Sequence, residues 1–208
     1  MNRDLIRPLV LVHGLWNTPK LFDRFIKQLD QTSSMLFVPH LPHDLGRVGI
    51  RELAVDLNCQ ILNRFGTSES IDILGFSMGG LISRVWLQEF KGHERTIRFF
   101  SIGSPHRGTL TAQFVPSSYF LGISEMKLGS KLLSSLDNSL NCLKNVQCKS
   151  YFCFLDLMVF PGYRATLPIG NAIPLPVITH KGLIRSTKGI KVIVEDLLMV
   201  ANKPTMSN

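Results

Sequence analysis

One stretch, Ile71–Gly80, constrains the fold of this chain more than any other. Its opening residues, Ile-Asp-Ile-Leu, are rich in β-branched side chains and predict a strand, and an apolar run with helical spacing follows it. Between strand and helix, residues 75–79 read Gly-Phe-Ser-Met-Gly and fit the pattern G-x-S-x-G. The two glycines permit a sharp turn, which would expose the hydroxyl of Ser77 at the N-terminus of the helix. Free N–H groups there favour negative charge, so the stretch predicts a serine nucleophile.

A five-residue pattern of this kind also arises by chance, so the rest of the chain must supply the remaining parts of a site. With 208 residues, 45% of them apolar and 18% charged, the chain is expected to fold as one domain, residues 1–208. No apolar run reaches the roughly 18 residues of a membrane span. The start, Met1–Arg7, is followed by too short an apolar run for a signal peptide, which predicts an unprocessed cytoplasmic protein.

Cysteine and charge patterns indicate no specialised site. The four cysteines lack C-x-x-C spacing and are expected to be reduced, although Cys142 and Cys148 can bridge a loop if the protein is secreted. No phosphate loop, dinucleotide fingerprint or zinc pattern is present, so we expect no cofactor and no metal. The net charge of +8 is dispersed, which argues against a nucleic-acid partner. The densest basic cluster, interpreted as a solvated helix face that can still attract an anionic membrane surface, is Lys181, Arg185, Lys188 and Lys191.

Strand and helix patterns alternate along the chain, which predicts an α/β fold with a parallel sheet and helices on both faces. Predicted strands cover residues 7–12, 35–38, 71–75, 96–103 and 150–155, with a short one near 177–178. Helical patterns predict four helices: one after Thr18, one over residues 50–65, one from Met78 to about Lys91, and a last one after Ser186.

Residues 110–149 have a different texture and are too long for a simple connection between two strands. We therefore expect a lid or cap insertion in the single domain. Five leucines at helical spacing predict one amphipathic helix within it: Leu128, Leu132, Leu136, Leu140 and Leu143.

Residues able to perform chemistry follow the ends of the predicted strands. In parallel sheets, sites form at the carboxyl ends of the strands. Five groups occupy such positions: His13-Gly14, Ser77, Ser104-Pro105-His106, Asp156 and His180.

Three blocks of sequence carry a resemblance to a known family. Leu-Val-His-Gly-Leu-Trp at 11–16, Gly-Phe-Ser-Met-Gly-Gly at 75–80 and Ser-Pro-His-Arg-Gly-Thr at 104–109 resemble the α/β-hydrolase superfamily, and within it small lipases and lipase-like esterases. The first block lies close to the N-terminus, so the resemblance implies a minimal form with about six mostly parallel strands.

In that superfamily the catalytic triad runs nucleophile, acid, histidine along the chain. Among six histidines, only His180 lies after the predicted strand–turn–helix around Ser77 with room for an acid between them. Among the intervening carboxylates, Asp156 follows a predicted strand and is the preferred acid, with Asp137 as the second candidate. Ser77, Asp156 and His180 are thus the expected triad, in which His180 is the base for Ser77.

When Ser77 attacks an acyl carbonyl, the carbonyl oxygen becomes an oxyanion. This oxyanion is expected to bind the backbone N–H of Met78 and, by resemblance, that of Leu15. The remaining histidines are expected to be structural. His13 would orient the oxyanion loop, His106 would brace the loop that starts the insertion, and His40 and His43 lie on a rim loop.

The predicted pocket rim is apolar, which favours a medium or long acyl ester. Besides the two oxyanion residues, it contains Trp16, Phe76, Phe114, Phe120 and Phe160. We therefore expect a carboxylic-ester hydrolase, a lipase or an esterase, acting on a lipid or small-molecule ester. Two alternatives remain open: a thioesterase or amidase with the same triad, and a catalytically silent fold used as a binding scaffold.

Overall fold

The computed structural model describes residues 5–30 and 33–199. The predicted single domain and the interpretation of Met1–Arg7 also involve residues 1–4, 31–32 and 200–208, which lie outside the described residues. All four cysteines are free thiols. In the described part of the chain, no helix is both long and apolar enough to cross a bilayer.

The described strands form one sheet in the order β2-β1-β3-β4-β5-β6, and every neighbouring pair is parallel. This confirms the predicted six-stranded parallel sheet. The strands are β1 Leu9–Val12, β2 Leu36–Phe37, β3 Ile71–Phe76, β4 Thr96–Ile102, β5 Gln147–Phe152 and β6 Asn171–Pro174.

Helices cover both faces of the sheet, and seven α-helices lie within the described residues. They are α1 Asp23–Leu29, α2 Ile50–Phe65, α3 Met78–Glu89, α4 Leu121–Ser124, α5 Lys131–Asn138, α6 His180–Arg185 and α7 Thr187–Leu198. The bounds predicted for α2 are confirmed. The helix predicted after Thr18 begins as a 3₁₀ helix, Pro19–Phe22, before α1.

Along the central strands, successive side chains point alternately into two apolar cores. In β3, Ile71 and Ile73 face the core shared with α2, α3 and α5, whereas Leu74 and Phe76 face the core shared with α1, α6 and α7. Every residue of β1 and β3 is buried. Burial on both faces explains why β1 is a continuous apolar run and why β3 departs from one only at Asp72.

Two predicted strands were misplaced. The fifth strand was predicted at 150–155, but β5 spans Gln147–Phe152, because β4 ends at Ile102, which lies opposite Tyr151. The next residues therefore have no partner strand on that side and form a turn. The last strand was predicted near 177–178, but β6 is Asn171–Pro174, a largely exposed edge strand without a hydrophobic pattern. Proline is tolerated at such an edge because no further ladder bond is required.

The predicted insertion 110–149 overlaps the sheet, because its last three residues belong to β5. Its predicted single helix is divided into α5 and a 3₁₀ helix, Leu140–Asn145. Leu132 and Leu136 of α5 are buried in the core that α2 and α3 share. The role of the segment as a lid stays a prediction.

At the amino ends of β3 and β4, an ion pair joins the sheet to the last helix. Arg98 donates to Asp72 Oδ2 at 2.6 Å, and both side chains are buried. The same guanidinium donates to the carbonyl of Leu197, at the end of α7, at 2.9 Å. This end of the sheet is therefore fixed. At the opposite, carboxyl end, Ser77 directly follows β3.

Candidate active site

Ser77 lies at the sharp turn between β3 and α3. Its backbone has φ 55° and ψ −128°, a conformation that costs a non-glycine residue free energy. The N–H of Ser77 donates to the carbonyl of Ile102 at 2.8 Å, and its carbonyl accepts from the N–H of Gly80 at 3.0 Å. The end of β4 and the first turn of α3 thus hold the strained residue from both sides.

Three glycines make this turn sterically possible. A Cβ added to Gly75 would lie 2.5 Å from Gly80 Cα, and one added to Gly79 would lie 2.2 Å from the carbonyl oxygen of Val12. A Cβ on Gly14 would lie 2.7 Å from Ser77 Cβ. Glycine therefore permits the strand, the helix and the loop after β1 to meet around the serine.

His180 and Asp156 form a buried pair, as the sequence predicts for the base and the acid. The Nδ1 atom of His180 lies 2.7 Å from Asp156 Oδ2, and the two residues are 8% and 0% exposed. The other carboxylate oxygen accepts from the N–H groups of Met158 at 2.9 Å and Val159 at 3.0 Å. Because an ionised carboxylate only accepts, the Nδ1 of His180 carries the proton and Nε2 is a free acceptor.

The Nε2 atom of His180 is buried and makes no hydrogen bond within the described residues. The imidazole packs against the ring of Phe76, with centroids 4.9 Å apart. On another side, a Cβ added to Gly103 would lie 3.2 Å from His180 Nδ1. These contacts fix the plane of the imidazole.

Asp137, the second candidate acid, lies elsewhere. It is on α5, where Oδ1 accepts from Arg84 at 2.6 Å, and half of its side chain is exposed. This carboxylate therefore serves as the partner of a buried arginine.

Ser77 and His180 line the same cavity, whose volume is about 450 Å³. Its walls are mainly apolar, and they include Leu15, Trp16 and Phe76, as the sequence predicts. The residues that sequence reasoning missed are Asn17, Pro105, Thr109, Thr111, Ala112, Val115, Ile123, Met126, Leu157, Met158, Val159 and Lys181. Most of these lie on loops without a periodic pattern, so their position relative to the cavity has no signal in the sequence.

Four predicted rim residues do not line this cavity, and one of them, Met78, is fully buried in the core. Phe114 is 90% exposed at the end of a 3₁₀ helix, Phe120 packs against the core and the guanidinium of Arg47, and Phe160 lies in the loop after Asp156. Their neighbours Val115, Ile123 and Val159 supply the cavity wall instead.

Backbone N–H groups of Met78 and Leu15 lie on the two segments that meet at Ser77. Met78 is the first residue of α3, so its N–H has no acceptor within the helix. Leu15 follows Gly14, whose carbonyl accepts from Asn17 N–H at 3.2 Å. The Asn17 side chain donates to the Leu15 carbonyl at 2.7 Å, which further fixes this turn.

His13 braces the same turn. Its Nε2 accepts from the N–H of Leu41 at 3.2 Å, and its Nδ1 lies 3.2 Å from the Gly14 carbonyl. Because Nε2 is an acceptor, Nδ1 carries the proton and donates to that carbonyl. Burial lowers the pKa of His13 to about 4, with smaller contributions from His43 and His40, so the ring is neutral near pH 7.

The other histidines lie outside the cavity. The Nε2 atom of His43 is 3.3 Å from the Asn17 carbonyl, and His40 is exposed. His106 is fully buried, its Nε2 is 2.7 Å from the hydroxyl of Ser101 on β4, and burial holds its pKa well below the usual range. It thus joins β4 to the loop that starts the insertion.

Solved structures similar to this chain share its fold. The mature form of Bacillus licheniformis lipase BlEst2 is 14% identical with a TM-score of 0.71, and the match covers 96% of this chain and 94% of that one. For Aspergillus fumigatus lipase B, the identity is 17%, the TM-score 0.73 and the coverage 95% and 54%, so this chain spans about half of that protein. An extracellular α/β-hydrolase from a Paenibacillus species is 13% identical, with a TM-score of 0.59 and coverage of 91% and 97%. The α/β-hydrolase fold implied by the sequence resemblance is confirmed.

A comparison with curated protein sequences found no match. The family model described as palmitoyl protein thioesterase matches residues 8–158. The matched region contains Ser77, Gly14 and Asp156, and it ends before His180. Since the match covers well over half of the 208 residues, this chain belongs to the palmitoyl protein thioesterase family.

Proposed function

We propose that this protein hydrolyses carboxylic esters of apolar acyl groups through Ser77, His180 and Asp156. The observation that carries the proposal is the buried His180–Asp156 pair beside an apolar cavity that Ser77 also lines. A positioned acid–histidine pair and a serine that lines the cavity at a helix N-terminus are the parts that acyl transfer requires.

In the first half of the reaction, His180 Nε2 takes the proton of the Ser77 hydroxyl while Oγ bonds to the acyl carbonyl carbon. The tetrahedral intermediate then expels the leaving alcohol, which receives the same proton from His180. In the second half, His180 takes a proton from water as the water oxygen attacks the acyl-enzyme. Collapse of the second intermediate breaks the bond to Ser77, whose oxygen regains a proton, and the acid leaves. Asp156 keeps Nδ1 protonated and stabilises the imidazolium.

The oxyanion of both intermediates would be bound by the N–H groups of Met78 and Leu15. Loss of one such donor typically costs about 3 kcal/mol of transition-state stabilisation. His13 supports this function indirectly, because it holds the carbonyl of the peptide whose N–H belongs to Leu15.

The cavity supports an apolar acyl group. A volume of about 450 Å³ lies in the range of small-molecule sites, and Leu15, Ile123 and Met126 provide aliphatic walls. Medium or long acyl chains would bury more apolar surface here than an acetyl group.

Hydrolysis of acyl thioesters is the second candidate function, and membership of the palmitoyl protein thioesterase family favours it. The same three residues would attack a thioester carbonyl, and His180 would protonate the leaving thiolate. An amidase would use them as well. A silent binding scaffold is less supported, because the serine, the acid and the histidine are all present.

We also propose that the mouth of the cavity docks on an anionic lipid surface. Trp16, Leu157 and Met158 line the cavity and are also exposed. Leu155 and Ile178, two residues before Leu157 and His180 in the chain, are 64% and 70% exposed. A large exposed apolar patch at a site entrance is typical of an interaction surface. The basic cluster predicted from the sequence begins in this cavity with Lys181 and continues through the exposed Arg185, Lys188 and Lys191.

The function is tested with one acyl chain offered as an ester, a thioester and an amide, and with p-nitrophenyl esters of increasing chain length. We expect Ser77→Ala to lower kcat by about 10⁴ or more. The matched control, Ser135→Ala, replaces an exposed serine on α5 and should retain wild-type kinetics. Wild-type turnover by Ser77→Ala would refute the assigned nucleophile. Failure of the wild type both to turn over any substrate and to react with a fluorophosphonate probe would favour the scaffold.

A further inference from the structure

Part of the aliphatic wall of the cavity comes from one short segment, Leu121–Met126, which we call the wall segment. It contains α4, and its Ile123 and Met126 line the cavity while being almost fully buried. On its other side the segment lies against residues 46–50, which lead into α2. The position of this segment therefore determines the space available to an acyl chain.

Two glycines allow the wall segment to approach the loop before α2 closely. A Cβ added to Gly122 would lie 2.4 Å from the Val48 carbonyl oxygen. A Cβ added to Gly46 would lie 2.6 Å from Ile123 Cγ1 and 3.1 Å from Leu15 Cδ1. The loop before α2 thus packs against both Ile123 and Leu15.

Glu125 bonds the wall segment to α2. Its Oε2 atom accepts from the N–H of Ile50, the first residue of α2, at 2.6 Å. The N-cap position of α2 is Gly49, which has no side chain to cap the helix. A carboxylate 75 residues away in the sequence therefore supplies the cap, at the end of the helix where the dipole favours negative charge.

The backbone around Glu125 joins the wall segment to two further parts of the site. The Glu125 carbonyl accepts from the hydroxyl of Ser130 at 2.7 Å, and that hydroxyl oxygen also caps α5 by accepting from Leu133 N–H at 3.2 Å. The Met126 carbonyl accepts from the N–H of Thr109, a cavity residue, at 2.9 Å.

The Glu125 carboxylate is partly buried, and this burial raises its pKa, while the N–H of Ile50 and the charge of Arg51 act in the opposite direction. The side chain of Arg51 donates hydrogen bonds to both oxygens of Glu89. The hydrogen bond that Glu125 accepts from α2 comes from the backbone N–H of Ile50. An uncharged acceptor of the same shape could replace it there, since a backbone N–H needs an acceptor and not a charge.

We propose that Glu125 is a positioning residue that holds the wall segment on α2 and thereby sets which acyl chains the site accepts. This inference rests on the proposed acyl hydrolysis. Glu125 does not line the cavity, and it acts through Ile123 and Met126, which contact the acyl chain. A long chain must pack against these two side chains, whereas an acetyl group fills only a small part of the cavity.

The test compares p-nitrophenyl decanoate with p-nitrophenyl acetate in full-length wild type and variants. Glu125→Ala should lower kcat/KM for decanoate about tenfold, mainly by raising KM, and change the acetate values by less than about twofold. Glu125→Gln should restore most of the decanoate activity, because the amide oxygen can accept from Ile50. The matched control is Glu89→Ala, which removes a carboxylate bound to the first turn of α2 but not to the wall segment, and it should behave as wild type.

Equal losses on both esters, or no loss on either, would overturn the inference. If Glu125→Ala does not fold, Gly122→Ala provides a second route, because its Cβ would push the wall segment off Val48 and should cause the same loss on decanoate. Acetate turnover by the wild type tests the proposed function separately. If the wild type hydrolyses neither ester, calorimetric binding of decanoate replaces kinetics: weaker binding by Glu125→Ala than by Glu89→Ala supports the inference, and equal binding refutes it.

Discussion

At the scale of single residues, the proton on His13 determines how the Gly14–Leu15 peptide is oriented. Nε2 accepts from the Leu41 N–H, so Nδ1 must donate to the Gly14 carbonyl. A second proton on the ring would place an N–H opposite the N–H of Leu41. The interaction of His13 with this loop therefore requires the neutral imidazole, in agreement with a pKa lowered to about 4 by burial.

This pKa makes stability depend on pH in a defined direction. Because the pKa of His13 is lowered from 6.5 to about 4, the unfolded chain takes up a proton at a higher pH than the folded protein does. The stabilisation is complete above pH 6.5 and is lost as the pH falls from there towards about 4. Between about pH 7.5 and about pH 5, His13 should account for about 2 kcal/mol of lost unfolding free energy.

Urea unfolding at both pH values checks this expectation. His13→Gln removes the titrating ring, so its unfolding free energy should change with pH by about 2 kcal/mol less than that of the wild type. His40→Gln, a change of an exposed histidine on the adjoining loop, serves as the control. It should keep most of the wild-type pH dependence, because His40 makes the smallest contribution to the lowered pKa of His13. An identical pH dependence in wild type and His13→Gln would show that His13 is not the group responsible.

At the scale of elements, the turn from β3 to α3 depends on backbone contact more than on conformational freedom. Gly79 lies inside α3, and a Cβ there would be 2.2 Å from the carbonyl oxygen of Val12 on β1. A backbone oxygen of a central strand cannot move away as the end of a flexible side chain can. Gly79→Ala should therefore push α3 off the sheet and destabilise the protein by about 3 kcal/mol.

Gly129→Ala isolates the conformational cost for comparison. Gly129 has φ +66°, and no atom lies within 4 Å of an added Cβ, so only backbone strain of about 1 kcal/mol is expected. Urea denaturation of both variants measures the difference. Equal losses of unfolding free energy would mean that the Val12 contact does not determine the choice of glycine at position 79.

The sequence predicted the elements that are buried on both sides and did worse where burial is partial. The strand before Ser77 and the helix after it were located because apolar residues continue through both. β6 was misplaced because Asn171–Pro174 is an exposed edge that shows no pattern, while the apolar Val177 and Ile178 nearby drew the prediction. Hydrophobic periodicity in a sequence reflects burial, so it does not reveal strands and helices that are exposed.

The same limit applies to the site. The order of triad residues in the superfamily selected His180, and the position after a predicted strand selected Asp156. The structure pairs these two side chains. The residues that form the cavity wall were not predictable in this way. Phe114 and Phe120 were expected at the apolar rim, but the wall comes from Val115 and Ile123, because local turns in the 110–126 segment determine which side chains face inwards.

At the scale of the whole molecule, exposed apolar side chains surround the buried His180–Asp156 pair at one end of the sheet. Asp156 points inwards and is fully buried, whereas Phe154, Leu155 and Leu157 around it are exposed. Lys181 lines the cavity, whereas the carboxylates of Asp156 and Glu125 are hydrogen-bonded to His180 and to the N–H of Ile50. An apolar rim with exposed basic groups matches the headgroup region of an anionic bilayer better than it matches water.

Replacing two exposed apolar residues of this rim that do not line the cavity, Leu155→Ser with Ile178→Ser, should abolish most binding to vesicles of phosphatidylcholine and phosphatidylserine. Co-sedimentation measures binding, and p-nitrophenyl acetate measures the site itself, which should keep its activity. Val55→Ser with Leu62→Ser removes exposed apolar side chains from α2 and is expected to leave binding unchanged.

Binding should weaken in vesicles without phosphatidylserine and at high salt, because the basic groups act over about one Debye length, roughly 10 Å. Equal binding by the rim variant and the wild type would contradict the docking proposal, as would wild-type protein that remains in the supernatant.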